Sequence, residues 1–169
     1  MYCRQLPNLI TLEHFHGNFQ SYQDYLYNEI FLKTLYNFKV VYNNKLVELK
    51  KLPLYDNRED SFYHLTCKEY KLESTEREPD LRRSEKLSWI RPTLESDHNK
   101  VCESDCCKTY IKKVGNKERI HILNPLDRFM IVLEDRKSYY LLITAYHIEY
   151  DNTLKKKLKE YDNYCQSLE

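Results

Sequence analysis

The residues of this chain best suited to chemistry are a histidine in an apolar segment and a hydroxyl pair at the end of an apolar run. His64 lies within residues 62–65, and an imidazole titrates near neutral pH, so it can transfer a proton as a general acid or base. A core histidine bonded to a backbone carbonyl is the alternative. Thr144 and Tyr146 are two residues apart, which places them on the same side of an extended chain. Both can donate hydrogen bonds to phosphate or sugar oxygens.

A second concentration of polar groups lies between Pro79 and Pro92. Its members with functional side chains are Arg82, Arg83, Glu85, Trp89 and Arg91. Arginine forks bind phosphate oxygens bidentately, and an indole can stack on a base or support the arginines. Glu85 is spaced to pair with Arg82 or Arg83. A solvated arginine face is the alternative for this segment.

Two apolar runs, residues 129–133 and 139–143, flank a polar turn and predict the buried β-hairpin that ends in Thr144 and Tyr146. Asn43 and Asn44 predict a tight hairpin turn within residues 38–50, and Gly115 with Asn116 predicts another within residues 109–123.

Asn18 is a suitable N-cap for a helix that runs to about Tyr36 with an apolar stripe of Phe19, Tyr22, Leu26 and Ile30. A second, lysine-rich helix is expected from about Asp151. We interpret residues 61–66 as a short strand or the start of a helix, and residues 68–80 as a loop. Residues 81–90 are expected to form a short helix or an irregular strand that Pro92 closes. Residues 93–108 are interpreted as a mobile surface connection. The predicted class is α+β: an N-terminal helix packed on a small, mostly antiparallel β-sheet, with a C-terminal helix.

The composition limits the possible functions. The chain has 169 residues, which fits a single domain over 1–169 with a helical N-terminal extension. Its 27 lysines and arginines nearly balance 26 acidic residues, so any nucleic-acid role requires local clustering of positive charge. No apolar run reaches the ~20 residues of a membrane span, and the first seven residues lack a secretory pattern. We therefore expect a cytoplasmic location and no membrane partner.

The cysteines suggest a metal site by type but not by spacing. The six are Cys3, Cys67, Cys102, Cys106, Cys107 and Cys165. With His98, the group at 102–107 has zinc-ligand chemistry, yet it lacks a Cys-x-x-Cys pair and a second ligand knuckle. We therefore predict free thiols, no metal and no cofactor. Phosphate-binding loops, zincin motifs and nucleophile elbows are also missing from the sequence.

Five segments in order resemble a known family. They are residues 61–66, residues 78–92, Arg119 at the start of a strand, residues 131–136 and residues 140–146. This succession resembles the phage-type branch of the barnase–EndoU–colicin–RelE (BECR-like) nucleases, and the likeness extends over roughly residues 18–164. Ser84 and Tyr63 depart from it, because the family has cysteine and tryptophan there. The cysteine group at 98–107 has no counterpart. The resemblance implies an antiparallel sheet packed on N-terminal helical structure, and metal-independent RNA cleavage.

That resemblance implies an RNA-cleaving mechanism in which the 2′-hydroxyl attacks phosphorus and leaves a cyclic phosphate. His64 would be the acid/base group, with Glu85 as the second candidate. Arg82, Arg83 and Arg119 would hold the phosphate, and Thr144 and Tyr146 would donate hydrogen bonds. Further substrate contacts would come from Trp89, Arg91 and Arg136. The predicted protein is a toxin-like endoribonuclease with RNA as substrate and a protein antitoxin as partner. A non-catalytic RNA-binding or protein-interaction module is the alternative.

Overall fold

The computed structural model describes residues 3, 5–68, 77–96, 102 and 106–168. Its helices are a 3₁₀ turn at Leu12–Phe15, α1 at Phe19–Tyr25 continued by a π-helical segment at Leu26–Tyr36, α2 at Asp60–Thr66, α3 at Leu81–Ser84, a 3₁₀ turn at Leu87–Trp89, α4 at Ile90–Glu95 and α5 at Asp151–Gln166. Within the described residues, none of these helices has the length and apolar character needed to cross a membrane.

The strands form one main sheet and two small pairs. They are β1 at Val41–Tyr42, β2 at Lys45–Glu48, β3 at Leu54–Tyr55, β4 at Arg58–Glu59, β5 at Cys67–Lys68, β6 at Glu78–Pro79, β7 at Lys108–Val114, β8 at Lys117–Asn124, β9 at Phe129–Asp135 and β10 at Tyr140–His147. The main sheet has the order β1-β2-β10-β9-β8-β7 and is antiparallel except where β2 runs parallel to β10. The predicted α+β class is confirmed.

Local signals in the sequence account for several of these elements. The backbone N–H of Ser21 donates to Asn18 Oδ1 at 3.0 Å and caps α1 as predicted. Asn43 and Asn44 adopt φ values of 46° and 62°, the left-handed backbone that the β1–β2 turn requires. Gly115, with φ of 60°, forms the β7–β8 turn in the same way.

The predicted apolar stripe of the N-terminal helix changes its spacing in the π-helical segment. Tyr22 and Leu26 are buried as expected, but the next buried residue is Phe31, five positions further on. Ile30, which the α-helical spacing predicted, is only partly buried. The i→i+5 hydrogen bonds of a π-helix add about one residue to each turn, so the position that faces the core moves from Ile30 to Phe31.

The two faces of the main sheet pack against different helices. Cross-strand pairs such as Ile120 with Leu133 belong to the large core shared with the N-terminal helix. The opposite face carries Tyr110 and Val132 and is covered by Leu154, Leu158, Tyr161 and Tyr164 of α5. The sheet is therefore buried on both sides.

Residues 81–95 differ from their prediction. Pro92 does not close the segment but lies in the first turn of α4, where a residue without an N–H loses no helical hydrogen bond. Thr93, Leu94 and Cys106 are buried, so these residues of the predicted surface connection pack in the interior. Residues 69–76 of the predicted loop at 68–80, and residues 97–101 and 103–105 of the connection, lie outside the described residues.

Candidate functional site

The main-chain oxygen of His64 is the point where α2, α3 and β10 meet. It accepts hydrogen bonds from Arg83 Nη1 at 2.9 Å and from Thr144 Oγ1 at 3.4 Å. Arg83 reaches it because α3 begins at the N-cap Asp80, whose Oδ1 accepts from the Arg83 backbone N–H at 3.1 Å. Three residues that the sequence analysis selected, separated by up to 80 positions, are thereby in direct contact.

The His64 imidazole lies beside a buried carboxylate. Its Nε2 lies 3.2 Å from Asp60 Oδ2, one helical turn earlier on α2, and the Asp60 side chain is only 1% exposed. Lys50 at 2.8 Å and Arg77 at 2.5 Å also pair with Asp60. Burial raises the pKa of Asp60, but the contacts with these two cations outweigh it and hold the pKa below its ordinary value. Asp60 is thus a carboxylate at neutral pH.

Thr144 and Tyr146 face the same side of the sheet, as predicted. In the register of β9 and β10, Thr144 is opposite Val132 and Tyr146 is opposite Met130. The Arg83 guanidinium carbon lies 5.7 Å from the centre of the Tyr146 ring. Burial raises the pKa of Tyr146, which keeps the phenol protonated and able to donate.

Arg119 and Arg136 surround a second buried carboxylate, Glu134, which is 1% exposed. Arg119 Nε lies 3.4 Å from it, Arg136 Nη2 2.6 Å and Lys117 Nζ 3.3 Å. Burial raises the pKa of Glu134, but its basic neighbours, first Lys117 and then Arg136, lower it overall. Three cations around one anion leave an excess of two positive charges.

The charge cluster around Glu134 lies on the face of Thr144. Glu134 is two residues from Val132 on β9, and Arg119 is opposite Glu134. With strands ~4.8 Å apart and ~3.4 Å per residue, the Cα atoms of Arg119 and Thr144 are about 12 Å apart. Arg119 therefore flanks the His64 junction at a distance.

Trp89 and Arg91 do not join either cluster. Trp89 is 2% exposed, its Nε1 donates to Pro7 O at 2.8 Å, and its ring packs on Phe129, so it has no free face for a base. Arg91 pairs with Glu95 at 2.8 Å and lies over the Phe38 ring. Both were expected to contact substrate: the burial of Trp89 argues against that role, and for Arg91 it stays a prediction.

Arg82 and Glu85 pair weakly with each other, at 3.9 Å. Arg82 is 72% exposed and available to an anion. Glu85 lies towards Tyr22, where its charge adds to the burial that raises the pKa of that tyrosine. The carboxylate placed against the His64 imidazole is therefore Asp60, which the sequence analysis did not select although it lies at the i−4 position of the same helix.

Lys86 and His147 form a buried basic pair that the sequence did not indicate. Lys86 Nζ donates to Asp127 O at 2.6 Å and lies 2.9 Å from His147 Nδ1. Burial lowers the pKa of Lys86 to about 8 and the pKa of His147 to about 4. The His147 imidazole is therefore neutral and accepts a hydrogen bond from the Lys86 ammonium. Since 61 positions separate the two residues, no local pattern could have revealed them.

His121 is a second buried histidine on the Thr144 face. It is 7% exposed, stacks on Tyr110 at 4.9 Å, and burial lowers its pKa to about 4. Among the described residues neither of its ring nitrogens has a hydrogen-bond partner. The sequence did contain a signal for this position. His121 alternates with Ile120 and Ile122, which places the histidine on the other face of the strand from these two core residues.

Three cysteines, one of them in the N-terminal segment, lie close together. Cys3 Sγ lies 3.7 Å from the sulfur of Cys102 and 3.7 Å from that of Cys106. Burial raises the pKa of the Cys3 thiol. The spacing of residues 102–107 did not indicate this arrangement, because the third cysteine, Cys3, lies 99 positions before Cys102. His98, the other residue of that group, lies outside the described residues.

Comparisons of the chain with protein-family models, with curated proteins and with solved structures found no match in any of the three. The resemblance to the phage-type BECR-like nucleases therefore stays a prediction. Function has to be argued from the residues of the site.

Proposed function

We propose that the chain is a metal-independent endoribonuclease whose centre is the junction of His64, Arg83, Thr144 and Tyr146. The observation that carries the proposal is the position of His64: its imidazole lies 3.2 Å from the buried Asp60 carboxylate, and its main-chain oxygen accepts from Arg83 and Thr144. An imidazole, an adjacent carboxylate, a guanidinium and two hydroxyls are the groups needed to cleave a phosphodiester without a metal.

Local charge supports an anionic substrate despite the formal net charge of +1. Lys50 and Arg77 face the single charge of Asp60, and Lys117, Arg119 and Arg136 face the single charge of Glu134. The first group has one excess positive charge and the second has two. These local excesses of positive charge attract the phosphates of an RNA strand.

In the proposed reaction the ribose 2′-oxygen attacks phosphorus. The bond from the 2′-oxygen to phosphorus forms, the bond from phosphorus to the 5′-oxygen breaks, and a 2′,3′-cyclic phosphate results. Nδ1 of His64 takes the 2′ proton and the imidazole becomes an imidazolium, while the Nε2 proton stays on His64 and the negative charge of Asp60 beside it stabilises the imidazolium. The leaving 5′-oxygen gains a proton from water. Arg83 donates to the phosphate oxygens through guanidinium N–H groups that it does not use on His64 O, and the Thr144 hydroxyl turns from His64 O to a phosphate oxygen as charge develops there.

Arg119 and Arg136 take a different role in this scheme. At about 12 Å from Thr144, by strand spacing, Arg119 is better suited to a flanking phosphate than to the reacting one. Both arginines then contribute to affinity and to its salt dependence, and little to the chemical step.

The test is incubation of the purified chain with a mixed RNA pool in Mg²⁺-free buffer, with and without EDTA. His64→Ala is compared with His121→Phe and with His16→Asn; the last keeps a residue type that tolerates the φ of 51° at this exposed position. The expected result is fragments that end in cyclic phosphate from the wild type and from His16→Asn. His64→Ala should lose about 10²- to 10⁴-fold in rate and keep its RNA affinity.

Three other outcomes would revise the proposal. Loss of cleavage in His121→Phe with full activity in His64→Ala would move the chemistry to the other histidine. Cleavage of a fully 2′-deoxy substrate would rule out 2′-hydroxyl attack. Intact RNA despite tight binding would favour the non-catalytic RNA-binding module, and the lack of any binding would favour a protein-interaction module.

A toxin-like role is part of the proposal. An active ribonuclease of this kind arrests growth when expressed alone, so the cell needs a protein antitoxin that covers the His64 junction. Growth arrest by the wild type, relieved by His64→Ala at equal expression, is the expected result in cells.

A further inference from the structure

The thiols of Cys3, Cys102 and Cys106 converge from three distant parts of the chain. Cys3 belongs to the N-terminal segment, Cys102 follows α4, and Cys106 immediately precedes β7. The three sulfurs lie within 4.8 Å of one another, and Cys3 is 3.7 Å from each of the other two. This cluster is separate from the His64 junction and takes no part in the proposed reaction.

The geometry of the sulfurs matches a tetrahedral metal site. A zinc ion about 2.3 Å from each sulfur of a regular tetrahedron sets neighbouring sulfurs about 3.8 Å apart. The two 3.7 Å separations at Cys3 agree with that edge length. A disulfide requires a sulfur–sulfur bond of about 2.05 Å and joins only two of the three cysteines. Ligand number and spacing therefore favour an ion over a disulfide.

Two of the three thiols have the buried surroundings of a structural site. Cys3 and Cys106 are 1% and 2% exposed and belong to the large hydrophobic core. The backbone N–H of Gln5 is directed at the Cys3 sulfur, a contact that stabilises a metal-bound thiolate. The Cys3 backbone N–H donates to Asp127 Oδ2 at 2.9 Å, which fixes the position of the ligand.

We propose that Cys3, Cys102 and Cys106 are three ligands of a structural zinc ion that fastens the N-terminal segment to the start of β7. Soft thiolate donors select zinc over the harder divalent cations. The ion displaces the thiol protons to solvent, and its fourth coordination position is left for a further donor. By closing loops of 99 and 103 residues, the ion stabilises the folded chain against unfolding.

The first test measures the zinc content of the reduced, purified chain, without RNA. We expect one zinc per chain in the wild type, and loss of zinc in Cys3→Ser, Cys102→Ser and Cys106→Ser. The matched control is Cys67→Ser, since Cys67 is 4% exposed, close to Cys3 and Cys106 in burial, but lies on β5. Retention of zinc by Cys102→Ser, or a wild-type chain that carries no zinc and binds none on titration with zinc chloride, would overturn the proposal.

A second measurement does not depend on how well the variants fold. The wild type is reconstituted with Co²⁺ in place of zinc, and its absorption spectrum is recorded. Tetrahedral d–d bands with a thiolate-to-cobalt charge-transfer band are expected. The weak spectrum of six-coordinate cobalt, or a Cys3–Cys106 disulfide found by mass spectrometry in protein purified without oxidant, would contradict the site. Both tests are independent of the ribonuclease activity.

Discussion

The hydroxyl of Thr144 lies 3.4 Å from the main-chain oxygen of His64, although 80 positions separate the two residues. Arg83 donates to the same oxygen at 2.9 Å. A single carbonyl thereby links the last turn of α2 to α3 and to β10. The side chains of Arg83 and Thr144 are held next to each other by this shared acceptor.

The first prediction concerns the Thr144 hydroxyl. Thr144→Val keeps the shape of the side chain and removes its donor, so the free energy of unfolding should fall by about 1 kcal/mol. The cleavage rate should fall roughly tenfold, because one donor to the developing phosphate charge is lost. Thr144→Ser, which keeps the hydroxyl, is the control. Equal rates in the two variants would remove Thr144 from the site. Urea unfolding and single-turnover kinetics supply the measurements.

Arg83 and Arg82 should respond differently to a change to lysine. Arg83→Lys keeps the charge but loses the planar fork that reaches His64 O, so the cleavage rate should drop while RNA affinity changes little. Arg82 is 72% exposed, and Arg82→Lys should leave both quantities unchanged. Rate and affinity are measured separately by single turnover and by filter binding. A loss of affinity alone in Arg83→Lys would assign it to binding only.

The arginines near Glu134 are expected to set the salt dependence of RNA binding. For a single strand, each lost phosphate contact reduces the slope of log K against log salt by about 0.7. Arg119→Gln and Arg136→Gln should each produce that change. Lys113→Gln is the control, because Lys113 is exposed on β7 and its register places it on the opposite face from Arg119. Slopes identical to the wild type in all three variants would exclude this face from RNA binding.

Glu134→Gln should change stability and affinity in opposite directions. The substitution leaves three partly exposed cations without their buried counter-ion, which should destabilise the fold by about 2 kcal/mol, the scale of lost hydrogen bonds to a charged group. It also frees Lys117, Arg119 and Arg136 for phosphate, so RNA affinity at low salt should rise. Thermal unfolding and binding titrations provide the comparison. A purely structural role for the cluster predicts lower stability with no gain in affinity.

The carboxylate of Glu160 should contribute stability that depends on pH. Burial raises its pKa, but hydrogen bonds from Lys112 and Tyr110 outweigh this and lower the pKa to about 2 from a usual 4.5. A lowered pKa in the folded state means that the contribution is fully present above the unfolded value. It is lost as pH falls from about 4.5 to about 2, and it amounts to roughly 3 kcal/mol.

Acid unfolding of Glu160→Gln beside the wild type checks this pH dependence. The difference in free energy of unfolding should be largest near pH 6 and should shrink to almost nothing near pH 2. A difference that does not change with pH would mean that the loss comes from packing and not from charge.

Much of the fold could be predicted because its signals are local. Asn18 caps its helix with its own side chain, and Asn43 and Asn44 supply the left-handed backbone of a hairpin. The alternation in β10 placed Thr144 and Tyr146 on one face. Such signals act over a few residues, so the sequence carries them without reference to the rest of the chain. Trp89 was misjudged because a tryptophan among charged residues has the same local pattern whether it is buried or exposed.

The sequence by itself determined the α+β class, the hairpins, the helix start and the residue types available for chemistry. Only the tertiary structure decided that His64 meets Thr144, that Asp60 and not Glu85 supports the imidazole, and that Cys3 joins Cys102 and Cys106. The physical reason is the range of the interactions. Turn chemistry and hydrophobic periodicity act between neighbours in sequence, whereas these contacts form only when buried surfaces far apart in the chain pack against one another.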